Sequence, residues 1–261
     1  MKIIVPIKQI LDPSGMTFRR DKERMFINRE EYIVDPASKA AIEAALQLKG
    51  DDDTLIAISM GLPQADDALR EALAMGCDEA FLLCDNAFEN ADITVTTSIL
   101  VAAILKLGGA DLIVTGHQSA DTGSGQIGPR LAEALGYAQV TDVSAMSTED
   151  GVLQATRRWG TAEAAYATVE AVLPAVVAVT PEAFPPRYAH GARIMSAYRD
   201  WDVPVWDMAY LGLDEAALAP LLAFRREGFP PPLEVGERFH GDPADVAQEA
   251  VMALKLQKLI G

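Results

Sequence analysis

Cysteine, histidine, basic charge and long apolar runs are scarce in this chain, and each shortage removes a class of function. Cys77 and Cys84 are the only cysteines. They lack Cys-x-x-Cys spacing and a histidine-rich neighbourhood, so they suggest neither a redox pair nor a zinc site. They read as reduced, half-buried thiols of a cytoplasmic protein. His117, His190 and His240 are scattered without metal-ligand spacing, and Ser119 and Ser124 lack the nucleophile-elbow pattern. The run Asp51-Asp52-Asp53 follows a helix end and reads as a solvated loop. No metal site and no catalytic residue is expected. No apolar stretch is long enough to span a bilayer without meeting a charge, so no membrane insertion is expected. The opening Met1 to Lys8 is too short for a signal peptide and has no small-residue cleavage site. With 22 Lys and Arg against 38 Asp and Glu, the net charge of −16 repels phosphate backbones and argues against nucleic acid.

The chain does have apolar residues in short, regularly spaced blocks. They make up 50% of 261 residues, enough to bury one full α/β core. Lys2 to Ile7, Thr54 to Ser59, Ala80 to Cys84, Asp111 to Thr115 and Leu173 to Val179 read as buried strands. A helical period follows each of the first four. One starts at Asp35-Pro36, with an aspartate cap and proline in the first turn, and carries Ala37, Ala40, Ala41, Ala44, Ala45 and Leu48. Others run through Ala74, over Thr94 to Leu107, and from Pro129 to Leu135. Near-continuous apolar strands alternating with helices predict a doubly wound, mostly parallel, Rossmann-like α/β sheet covered on both faces.

Elsewhere the pattern is looser. Leu11 to Arg29 reads as a loop or short hairpin. Val152 to Thr156 and Ala165 to Ala171 read as extended segments flanking a turn at Arg157-Arg158-Trp159-Gly160. Residues 181–241 are rich in proline and aromatics, including Trp201, Trp206, Phe224 and Phe229, and read as an irregular arm that wraps a partner. A last helix is expected over Asp242 to Ile260. These readings divide the chain into a nucleotide-binding domain at 1–200 and, at 201–261, a C-terminal arm and helix.

In an open parallel sheet, ligands bind beyond the carboxyl ends of the strands where the strand order switches. The candidate ends are Pro6 to Lys8, Met60-Gly61 and the loop Gly116 to Gly128, which holds four glycines and joins a strand directly to a helix. Such a loop lets backbone N–H groups turn inward while the helix N-terminus adds a positive field, which suits a phosphate. Ser124 and Gln126 add side-chain donors. Asp121 either holds the loop through backbone N–H groups or binds a ribose hydroxyl. The loop is neither a Gly-x-Gly-x-x-Gly fingerprint nor a P-loop, and it also reads as a structural turn without a ligand.

Six motifs in order resemble electron-transfer flavoprotein β subunits. They are Ile4 to Asp12, Asp35 to Leu46, Ala72-Leu73-Ala74-Met75-Gly76-Cys77-Asp78, Thr115 to Asp121 with Gly125 to Pro129, Leu173 to Val177, and Pro186-Arg187-Tyr188-Ala189 with Ile194-Met195. The similarity spans about residues 1–200. It implies a heterodimer in which this subunit binds an adenine nucleotide, AMP or a second FAD in electron-bifurcating relatives. The α subunit carries FAD, and electrons pass from flavin dehydrogenases to a quinone reductase. The chain is then an electron carrier subunit, not an enzyme alone. Carried over by motif, the nucleotide contacts Pro6, Asp35, Met60, Gly116, Asp121, Gly123, Ser124, Gly125, Gln126 and Ile127. The loop ending Gly125 to Pro129 is nearer to the bifurcating type, although Ser124 stands where that loop usually has threonine. Asp121-Thr122-Gly123 likewise stands for Asp-Gly-Asp. Two further departures are Gly191, at the position of a docking leucine, and Trp159-Gly160-Thr161 in place of an acidic-Gly-Gly turn.

Two other classes share the sheet. A stand-alone nucleotide-binding regulator resembling universal stress proteins would lack the arm. A nucleotide-hydrolysing enzyme would need metal carboxylates or a basic phosphate clamp, and the sequence shows neither.

Overall fold

A computed structural model describes residues 1–160, 165–222 and 236–260. The chain divides into two compact units, Met1–Ala223 and Phe224–Gly261. In the first, β1 (Lys2–Pro6) is followed by β2 (Gln9–Leu11), β3 (Met16–Arg19), β4 (Arg24–Ile27), β5 (Tyr32–Val34) and helix α1 (Pro36–Leu48). Next come β6 (Thr54–Met60), α2 (Asp66–Met75), β7 (Glu79–Leu83), α3 (Ile93–Lys106), β8 (Leu112–Gly116) and α4 (Ile127–Leu135). The remainder is β9 (Ala138–Glu149), β10 (Val152–Arg158), β11 (Tyr166–Val172), β12 (Ala175–Val179), α5 (Gly191–Arg199), β13 (Val205–Trp206) and α6 (Met208–Leu211).

Nine strands form one sheet in the order β11-β10-β9-β12-β8-β1-β6-β7-β13. From β9 to β13 every pair is parallel, while β10 runs antiparallel to both β9 and β11. The doubly wound, mostly parallel α/β sheet expected from the apolar blocks is therefore the observed fold. Its central strands are buried on both faces, which is why they carry unbroken apolar runs. One face packs on α1 and α2 through Ala40, Ala41, Ala44, Leu69 and Leu73. The other packs on α3 and α4 through Ile99, Ala103, Ile104 and Leu131. The alanine face of α1 brings that helix close to the sheet. Cys77 is fully buried, and burial pushes its thiol up to about 12. Cys84 is partly exposed and also unpaired.

Of the two readings of Leu11 to Arg29, loop or short hairpin, the structure shows the hairpin: β3 and β4 pair with Met16 opposite Ile27, next to a short β2–β5 pair. Other segments differ from expectation. The longest strand, β9, was not anticipated: its outer half alternates half-buried and exposed residues and has no apolar run. Residues 181–222 are not an irregular arm, because they include α5, β13 and α6 within the first unit. Trp206 is buried against this sheet, its ring centroid 4.5 Å from Phe81 and 5.1 Å from Tyr210. Trp201 packs partly buried on the core. Trp206 thus packs on the edge strand of its own sheet, where β13 pairs with β7. Phe224 and Phe229 lie outside the described residues.

The second unit contains α7 (Pro243–Leu256), which starts after Asp242 with proline in its first turn. Val251, Met252, Leu254 and Leu256 are exposed on it. No described helix is long and apolar enough to cross a membrane.

Candidate functional site

After β1 the sheet grows in one direction through β6 and β7, and the chain then returns to place β8 on the other side of β1. The order therefore reverses between β1 and β8, and a crevice opens at their carboxyl ends. A cavity of about 440 Å³ lies there. Pro6 at the end of β1 with Ile7 and Lys8 beyond it, Met60 at the end of β6, and Thr115 and Gly116 at the end of β8 line it. The first turns of α1 and α3 and the loop from His117 to Gln126 form its walls.

Asp35 ties three of these parts together. It is buried, and its Oδ2 accepts the Ser38 N–H at 3.1 Å, capping α1. Its Oδ1 accepts the Ala120 N–H at 2.7 Å, which fixes the glycine-rich loop against that helix. Its own N–H donates to the Lys8 carbonyl at 2.8 Å, and the Lys8 N–H donates to Ser38 Oγ at 3.1 Å. Gly116 is required by the same close packing. A Cβ there would lie 2.6 Å from Ala37 Cβ and 2.7 Å from the Ala37 carbonyl carbon.

The loop beyond Gly116 is shaped by left-handed turns at Gly123 (φ +59°) and Gly125 (φ +62°). It delivers the chain to α4, whose preceding residue Gln126 gives no side-chain cap. The Gln126 amide oxygen instead accepts from Arg130 Nε at 3.0 Å. Gln126 and Ile127 line the cavity, so α4 starts at its edge with no side-chain acceptor from its cap residue, the arrangement found at anion sites on helix ends.

Electrostatics around the loop are balanced locally. Lys8 Nζ lies 2.5 Å from Asp121 Oδ2. Burial opposes ionisation of Asp121, but hydrogen bonds from Lys8 and Ser119 and the Lys8 charge hold its carboxyl below the usual range. Asp121 also accepts the Thr122 N–H at 2.7 Å. His117 lines the cavity with its Nδ1 3.4 Å from Asp142 Oδ1. Apolar surface comes from Met60, Ile93, Leu100 and Ile127, and hydroxyls from Ser38, Ser119, Thr122 and Ser124. A flat apolar ring and a hydroxylated, negatively charged tail fit this combination.

Of the residues named from sequence, Pro6, Asp35, Met60, Gly116, Ser124, Gly125, Gln126 and Ile127 line the cavity. Asp121 and Gly123 do not: Asp121 pairs with Lys8, which does line the cavity, and Gly123 supplies a left-handed turn. Lys8 and His117 lie in segments the sequence marked as strand ends without being singled out, whereas the whole wall from the start of α3, including Asp92, Ile93 and Thr96, was missed. The available signal was Asp92 ahead of Ile93-Thr94-Val95, a helix cap placed just after the third central strand. Among the described residues no group of three or more His, Cys, Asp or Glu is placed to hold a metal ion.

Comparisons with known proteins identify the family. The electron transfer flavoprotein domain family matches residues 25–203. An electron transfer flavoprotein subunit beta from Clostridium acetobutylicum is 36% identical over 219 residues, 84% of this chain and 83% of the relative. The caffeyl-CoA reductase-Etf complex subunit CarD from Acetobacterium woodii is 34% identical over 268 residues, covering 100% of both. The corresponding beta subunit of Mycobacterium leprae is 31% identical over 269 residues, covering 99% of both. With a family match over most of its length and relatives aligned nearly end to end, this chain belongs to the electron transfer flavoprotein β-subunit family.

Proposed function

We propose that the cavity at the β1–β8 switch point binds an adenine nucleotide, and that the chain works as a non-catalytic partner of an FAD-bearing α subunit. In this role it supports electron passage from flavin dehydrogenases towards a quinone reductase. The observation that carries the reading is the open first turn of α4, set behind a glycine loop that Asp35 holds in place. The N–H groups of that turn and of the loop would hold phosphate, and Ser38, Ser119 and Ser124 offer hydroxyl partners. Met60, Ile93 and Leu100 offer apolar surface for the base. Bound FAD supplies redox chemistry through its own ring system, whereas AMP supplies none and acts as a structural element. The residues of this chain bind and orient either ligand. The loop ending Gly125 to Pro129 favours a second FAD, as does the full-length similarity to CarD, which its name places in a caffeyl-CoA reductase-Etf complex.

The test is chemical. The chain is co-expressed with its α subunit, the complex is purified and denatured, and released AMP and FAD are counted. One FAD and one AMP per heterodimer support the AMP reading, and two FADs support the second-flavin reading. A chain that retains neither α subunit nor nucleotide overturns the proposal.

A further inference from the structure

The wall that sequence reasoning missed has a second role. Between β7 and α3 the chain places two aspartates, Asp85 and Asp92, and each divides its two oxygens between local and distant backbone. Asp92 Oδ1 caps α3 by accepting the N–H groups of Thr94 and Val95, both at 2.9 Å. Its Oδ2 accepts the N–H groups of Leu221 at 2.7 Å and Leu222 at 2.8 Å. Asp85 Oδ1 accepts the Ala87 N–H at 2.9 Å, and its Oδ2 accepts the Met208 N–H at 3.0 Å. One connection thus holds the chain at Met208, just past β13, and again at Leu221 and Leu222. Asp92 itself lines the cavity, flanked there by Ala91 and Ile93, with Thr96 one turn further along α3.

We propose that the β7–α3 connection is a clasp that couples occupancy of the cavity to the placement of the chain at Leu221 and Leu222, where the first unit ends. This rests on the adenine-nucleotide reading of the cavity. A ligand packed on Ile93 and Thr96 orders the first turn of α3. That fixes the carboxylate whose other oxygen holds the departing chain. Leu221 and Leu222 are exposed although their N–H groups are held, so the carboxylate restrains the segment more than burial of these side chains does. Coupling of this kind is reciprocal: whatever fixes residues 221–222, including a protein surface bound beyond them, tightens nucleotide binding by the same factor.

Hydrogen exchange at the Leu221 and Leu222 amides of the full chain reads the coupling, measured alone, with saturating AMP, and with saturating FAD. Bound nucleotide is expected to slow exchange at these two amides by about tenfold, within the usual range of coupling between sites. In Asp92→Ser the serine retains the α3 cap but is too short to serve both directions. There the two amides are expected to exchange fast with or without nucleotide, while those inside α3 keep their protection. Nucleotide binding that leaves residues 221–222 unchanged in the wild type overturns the clasp and leaves the nucleotide reading intact. Absence of binding by either probe, measured separately by calorimetry, removes both.

Discussion

Helices α1 and α4 bring their N-termini to the same cavity, yet one is closed by the protein and the other is left open. At α1 the buried carboxylate of Asp35 takes up the Ser38 N–H and reaches the loop at Ala120. At α4 Gln126 provides no cap, and its amide oxygen turns to Arg130. The closed end is architecture, positioning the loop whether or not a ligand is present. The open end has donors to give. Substitutions on the α1 side should therefore disturb stability and binding together, whereas those at α4 should separate them.

The largest effect is expected where α1 meets the sheet. In Gly116→Ala the new methyl group meets the Ala37 backbone at 2.7–2.8 Å, and a backbone cannot turn aside as a flexible side chain does. Overpacking of this kind costs about 1–3 kcal/mol. Urea denaturation should show that loss, and nucleotide binding should fall with it. Unchanged stability would mean that α1 moves freely, and the contrast between the two helix ends would collapse.

Asp35→Ala comes next. Loss of a helix cap costs about 1 kcal/mol, and the Ala120 N–H, at an exposed residue, loses its acceptor as well, which adds no more than about 1 kcal/mol. Stability and nucleotide affinity should both decline. In Gln126→Glu, by contrast, a negative charge enters the open end while the pairing with Arg130 is kept. Stability should change by less than about 0.5 kcal/mol, as at most surface positions. Nucleotide affinity should drop by about tenfold, since a carboxylate competes for the donors an anion would use. Equal affinity in calorimetry would place the phosphate elsewhere.

How far this was legible in the sequence follows from burial. Strands β1, β6, β8 and β12 lie between helices, so nearly every side chain is apolar and the run announces itself. Strand β9 extends past the helices, and its exposed positions carry Ser147 and Glu149, so no run forms. Helix α5 opens with Gly191 beyond two prolines and buries only Ala197, so it lies inside a proline-rich stretch with almost no core residue to mark it. For the site, the glycine loop was visible because one continuous segment contains both turn and helix end. The α3 wall was hidden because it comes from a connection about 25 residues away in the chain and meets the loop only across the switch point. Asp121 drew attention by its position in the loop, but contiguity in sequence did not reveal that it faces Lys8.

That ion pair carries the smallest predicted effect and sharpens the contrast between the two helix ends. Asp121 is held below its ordinary value of 3.8, so the folded state binds its proton less readily than the unfolded state. The stability it contributes is complete above that ordinary value and disappears as pH falls through the lower folded value. Both partners are more than a third exposed, so solvent screening keeps the contribution under about 1 kcal/mol. Asp121→Asn should therefore flatten the acid limb of the stability curve slightly below pH 3.8 and change little at neutral pH. It should also release Lys8, which lines the cavity, from its neutralising partner. Nucleotide affinity at low salt should then rise modestly, and the gain should fade as salt is added, because a freed exposed charge is screened. A fall in affinity at every salt concentration would instead show that the pair shapes the loop, making Asp121 a structural partner of Asp35 on the closed side.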